Sequence, residues 1–166
     1  ARVKREVFSL RPMEKKVVLV GHSHGCNIIR EAMQDEDMWK WVSACILFNP
    51  AVRPEADFHV PTLCFYSKSD PAVKASLALR FLPWNWIWQQ PWGDAGAKGL
   101  EPLGGRTREN IDEEELTGDK IVHSNIFATP ARRKLCNRVI VTFLQLHAGL
   151  GSQHPQTVDE LGQDPR

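Results

Sequence analysis

Ser23 stands at the centre of Gly21-His22-Ser23-His24-Gly25, a run in which hydroxyl, imidazole and glycine crowd into five positions. A serine hydroxyl attacks a carbonyl only when a base takes its proton and a third group holds that base in one tautomer. The chemistry to look for is acyl transfer, and its parts are a serine, a histidine and a carboxylate. Asp70, in Ser67-Lys68-Ser69-Asp70-Pro71, follows an apolar run and is a candidate acid; its other role would be a turn or N-cap residue. Six histidines offer imidazoles: His22, His24, His59, His123, His147 and His154. His22 and His24 flank the serine and are expected to point away from it. His147 falls in the last helical segment, where a histidine commonly serves a helix end. His123 sits in Ile121-Val122-His123-Ser124-Asn125, a loop before that helix.

These residues are useful only if the backbone gathers them. Val17-Val18-Leu19-Val20 is a continuous apolar run, which predicts a strand buried on both faces, as in a parallel sheet. Directly after the glycine-flanked serine, Ile28, Ile29, Ala32 and Met33 share one side of a helix, opposite Arg30, Glu31 and Gln34. A strand turning sharply into a helix is the context in which Gly-x-Ser-x-Gly means a nucleophile elbow. Gly21 and Gly25 are expected to let strand and helix approach, and the helix start offers N–H groups to a developing anion.

The remaining elements follow in order. Residues 1–16 are basic and amphipathic and predict the end of a helix leading into the elbow strand. Val42 to Phe48 is a second buried strand, stopped by Asn49-Pro50, and Pro61 to Tyr66 is a third. Val73, Leu77, Ala78 and Phe81 have helical spacing after Asp70. Trp84, Trp86, Trp88 and Trp92 are crowded between Pro83 and Gly105; the first three are read as packing on the sheet or lining a substrate lid, ahead of a membrane belt. Gly93 to Gly105 predicts a mobile loop, and Thr107 to Ile111 a short strand. The run Asp112 to Glu115 is read as a solvated acidic face, with a cation site as the other reading. Thr129 and Pro130 open a last helix whose apolar face carries Leu135, Cys136, Val139, Ile140, Phe143 and Leu144, with Gly149 beyond it. Past Gly151 the chain is polar and is expected to be disordered.

Composition narrows the field. The 166 residues suit one domain, and 42% hydrophobic with 25% charged residues is an ordinary globular balance. A net charge of +1 carries no footprint for nucleic acid, and no apolar run is long enough to span a bilayer. Cys26, Cys45, Cys64 and Cys136 lack metal or redox spacing and are expected to be buried free thiols, which favours a reducing, cytoplasmic setting. No metal or cofactor is expected.

Gly21-His22-Ser23-His24-Gly25, the strand ending near Asp70 and the loop histidine His123 together resemble the α/β-hydrolase family, and Gly-His-Ser-His-Gly is similar to the elbow of many lipases and esterases. That family presents its triad in the order serine, acid, histidine. The resemblance therefore implies Ser23 as nucleophile, Asp70 as orienting acid, His123 as base, and the backbone N–H of His24 in the oxyanion hole. It implies a small-molecule ester as substrate. It covers residues 17 to about 148, so the expected fold is an open, mostly parallel α/β sheet with flanking helices, spanning residues 1–148 before the tail at 149–166. Members carry several strands ahead of the elbow and an oxyanion loop there, and only 16 residues precede the elbow strand here. The chain accordingly resembles the carboxyl-terminal half of such a domain, and an uncovered sheet edge would invite a homodimer. The competing reading is a non-catalytic, hydrolase-like binding module that uses the tryptophan cluster as its contact surface.

Overall fold

The protein is described from a computed structural model covering residues 2–9, 16–72, 93–121, 123 and 125–149. The expected helix after Asp70, the tryptophans Trp84, Trp86, Trp88 and Trp92, and the polar tail beyond Gly149 lie outside those residues. Four strands form one sheet: β1 (Val17–His22), β2 (Val42–Phe48), β3 (Thr62–Tyr66) and β4 (Arg108–Asp112), in the order β1-β2-β3-β4. Every neighbouring pair is parallel. Parallel strands need crossovers, and the crossovers cover the faces. Helices α1 (Arg2–Ser9), α2 (Gly25–Ala32), α3 (Glu36–Trp39), α4 (Ala95–Lys98), α5 (Glu113–Thr117) and α6 (Pro130–His147) complete the described elements, with a 3₁₀ turn at Asn125–Phe127.

Side-chain alternation splits the core in two. Cys45 and Leu47 of β2 and Cys64 of β3 join α1, α2 and α3 on one face, with Cys26, Ile29, Ala32, Met33 and Met38. Ala44, Ile46 and Phe48 with Leu63 and Phe65 point to the other face, where Cys136 and Phe143 of α6 cover them. The period of two thus decides which helix each strand residue meets. Both halves have the fully buried aliphatic and aromatic side chains from which hydrophobic stability derives.

The cap signals of α6 act as read: Thr129 accepts from the Arg132 N–H at 3.2 Å, and Pro130 opens the helix. At its other end Lys16 donates to the carbonyls of Ala148 and Gly149, placing a cation where the helix dipole is negative. Because Lys16 immediately precedes β1, α6 runs antiparallel to the strands, and its first turn lies by their carboxyl ends.

Three expectations need correction. β1 is not buried on both faces: Val20 is 64% exposed. β1 is the edge of the described sheet, and α6 lies over the strands beyond it. Ile28, placed on the inner side of α2 by spacing, points out instead, while Cys26 and Asn27 are buried. Gly93 to Gly105 is no loose loop either. Gly93 donates to the Ala51 carbonyl, Ala95 to Val52 and Gly96 to Pro50, so this segment lies along the chain leaving β2. A Cβ on Gly93 would fall 1.9 Å from the Val52 carbonyl carbon, which only glycine avoids.

Candidate active site

The elbow forms as the spacing requires. Ser23 takes φ of 52°, a left-handed conformation that costs a non-glycine residue about 1–3 kcal/mol. It is held there by backbone bonds on both sides: Ser23 N–H donates to Phe48 O at 2.9 Å, and Ser23 O accepts from Cys26 and Ala51. The hydroxyl therefore stands just past the end of β1, above the start of α2, whose N-cap is His24. The two glycines differ. A Cβ on Gly21 would meet Ile29 Cδ1 at 2.8 Å and the Cys26 nitrogen at 3.2 Å, whereas one on Gly25 would meet nothing within 4 Å among the described residues. Strand-to-helix contact explains Gly21; space does not explain Gly25.

Asp70 arrives from the neighbouring loop. Past β3, Ser67 N–H bonds to Gly96 O and Asp70 N–H to Ser67 O, which folds the loop back over the strand end. Asp70 is fully buried. Its Oδ1 accepts from the Ala72 N–H at 2.8 Å, so the cap-like role foreseen for it is real. Its Oδ2 is turned to His123 Nδ1, 2.7 Å away. Both roles are filled at once, by different oxygens.

His123 completes the line. Its Nε2 lies 2.9 Å from Ser23 Oγ. A carboxylate can only accept, so Nδ1 carries the proton and Nε2 presents its lone pair to the hydroxyl. That is the tautomer a general base needs. Ser23, Asp70 and His123, drawn from positions 47 to 100 residues apart, thus meet at one rim of the sheet.

Several contributors were not foreseen. His22 has a partner its position did not announce: its Nε2 donates to His123 O at 3.0 Å, and its ring lies 4.9 Å from the His123 ring. Phe127 packs on His22 from the following turn and edge-on against Phe48. The histidine beside the nucleophile in sequence therefore buttresses the base in space. Ser67 Oγ stands 3.0 Å from Ile121 O and 3.2 Å from Glu114 Oε1, tying the acid loop to the segment that carries His123.

The acidic run also needs correction. Asp112 and Glu113 are buried, so it is not simply a solvated face. Asp112 accepts from the Glu114 N–H, capping α5, and pairs with Lys68 at 2.8 Å. Glu115 reaches the same lysine at 3.3 Å. Glu113 accepts from Asn49 Nδ2 at 3.3 Å. Burial pushes its carboxyl up to about 7, with the charges of Asp70, Asp112 and Glu114 adding to the rise against the Asn49 bond. Asp112, Glu113 and Glu114 each reach a partner from another segment, while Glu115 pairs with Lys68 at the surface.

Among the described residues, no group of three His, Cys, Asp or Glu is arranged to hold a metal ion. No described helix is long and apolar enough to cross a membrane. The four cysteines are free and buried, and burial raises their thiol pKa values. No protein-family model and no curated protein matches this sequence.

Proposed function

We propose that this chain is a serine hydrolase of the α/β-hydrolase kind, cleaving carboxylic esters through an acyl-enzyme. The observation that carries the reading is the pair of contacts at His123, 2.7 Å to Asp70 and 2.9 Å to Ser23. Ser23 Oγ attacks the ester carbonyl as its proton passes to His123 Nε2. Asp70 stabilises the imidazolium through Nδ1 without taking the proton. Negative charge develops on the former carbonyl oxygen, and the His24 N–H at the start of α2 is the donor nearest in sequence to receive it. Such a donor is worth roughly 3 kcal/mol in the transition state. The tetrahedral adduct then collapses, His123 protonates the departing alkoxide, and an alcohol leaves. Water, deprotonated by the same imidazole, attacks the acyl-serine; its collapse releases the acid and returns the proton to Ser23.

The strained φ of Ser23 supports the same reading. Strain at a half-buried serine is costly, and here it aims Oγ at a base. A fluorophosphonate probe tests the proposal. It is expected to label the wild-type chain at Ser23, with p-nitrophenyl ester cleavage falling by roughly 10⁴-fold in Ser23→Ala. A folded chain that neither reacts with the probe nor cleaves the ester refutes it.

A further inference from the structure

Near Asp70 lies a second polar pair outside the mechanism just described. Asn49 follows β2 and Glu113 follows β4, so their side chains meet across the carboxyl end of β3, near enough to Asp70 for its charge to act on Glu113. Both residues are fully buried. One bond joins them, from Asn49 Nδ2 to Glu113 Oε2. The other atom of each group, Asn49 Oδ1 and Glu113 Oε1, is buried without a hydrogen-bond partner among the described residues. Two buried orphans on groups already in contact call for a common explanation. If Glu113 were ionised, both would be acceptors, and neither could satisfy the other. One proton on Oε1 converts an acceptor into a donor and leaves Oδ1 to receive it.

We propose that Glu113 is a neutral carboxylic acid that forms a two-bond acid–amide pair with Asn49, and that this pair is a positioning device for Asp70, tying the ends of β2 and β4 together near the acid loop.

Asn49 is well placed for such a tie. Its φ of 43° is left-handed, and its N–H donates to Phe65 O on β3. Two residues on, Ala51 N–H bonds to Ser23 O. The pair thus links the nucleophile's support to the acid's. Among the described residues, the titratable groups facing Glu113 are Asp70 from the loop after β3, Asp112 and Glu114 from its own segment, the Cys64 thiol of β3 and the Cys136 thiol of α6. The carboxyls among them oppose a second negative charge. Burial holds the Glu113 carboxyl up to about 7, in keeping with a proton at mildly acid pH. Raising the pH then turns a bonded pair into two facing acceptors, loosening the support near Asp70.

The role rests on Asp70 being the orienting acid, and the test separates the two. Glu113→Gln keeps the shape and both bonds as an amide–amide pair but cannot ionise. In the full chain, infrared difference spectra at about pH 6 are expected to show a protonated-acid carbonyl band that Glu113→Gln removes. The Ala72 amide, bonded to Asp70 Oδ1, reports the loop by hydrogen exchange. Between about pH 6 and pH 9 its exchange rate in wild type, divided by that in Glu113→Gln, is expected to rise roughly tenfold. Taking the ratio cancels the intrinsic pH dependence of exchange. The fluorophosphonate labelling rate of Glu113→Gln relative to wild type is expected to rise with pH in the same way. Absence of the band overturns the proposal, as does an exchange ratio that stays flat with pH. Failure of both proteins to label, with band and exchange behaving as expected, overturns the hydrolase reading and leaves the acid–amide pair standing.

Discussion

The two ends of the sheet each hold a histidine on a carboxylate, and they differ in what surrounds the pair. At the carboxyl end His123 meets Asp70 at 2.7 Å. At the amino end His147, in the last turn of α6, meets Glu109 of β4 at 2.6 Å. By distance alone the second pair is the closer. Yet the Glu109 side chain is 39% exposed where Asp70 is fully buried, so solvent screens one and not the other. The free nitrogen of His123 faces a strained serine, whereas His147 packs its ring beside Phe143. A third histidine, His59, sits near Asp57 at 3.3 Å and stacks on Trp39, again with no hydroxyl bonded to its ring among the described residues. A close histidine–carboxylate contact is thus a common way to finish a helix or a loop. Chemistry needs the buried acid and the aimed hydroxyl as well.

The sharpest way to break this contrast is to neutralise one acid at each end. Asp70→Asn keeps an oxygen for the Ala72 N–H but removes the charge that selects the His123 tautomer, so ester cleavage is expected to fall by roughly 10³–10⁴-fold with the fold retained. Glu109→Gln is expected to leave the rate within about twofold and to cost under about 1 kcal/mol in denaturant unfolding. Equal losses at both ends would erase the distinction.

A smaller effect separates the ends by pH. Glu113 is held at about 7 in the folded chain against 4.5 for the free side chain, so the folded state binds more protons between those values. Stability from this group is complete below about pH 4.5 and falls as pH rises to about 7, by on the order of 3 kcal/mol. Glu113→Gln is expected to remove that slope in urea unfolding and to leave the protein more stable than wild type at about pH 8. A wild-type slope that survives the substitution would place its source elsewhere.

The smallest effect lies within the elbow. Gly21→Ala pushes on Ile29 and Cys26 and is expected to destabilise by about 1 kcal/mol. Gly25→Ala meets open space at the first turn of α2 and is expected to be neutral or stabilising by up to about 1 kcal/mol, read from unfolding midpoints. The reverse order would mean that the elbow is packed from the other side.

Local pattern was enough to mark the strands, the elbow and α6, because a period of two, a period of 3.6 and a cap at Thr129 are written in neighbouring residues. It also named Ser23 and Asp70, since each stands a few residues past an apolar run, and chain order borrowed from a resemblance added His123. What it could not reach was anything that depends on which strand lies at the edge or what passes over a strand end. Val20 and Ile28 read as buried because apolar spacing says nothing of the layer above. The role of His22 beside the base was out of reach because its partner lies 101 residues on, at His123. Asp112 to Glu115 read as a solvated run because four acidic residues in a row look alike until Lys68, Asn49 and Ser67 arrive from other strands. Residue types and short-range spacing set the elements; the stacking of parallel strands alone decided which side chains share one buried rim, since that neighbourhood is created by long-range pairing and exists nowhere along the chain.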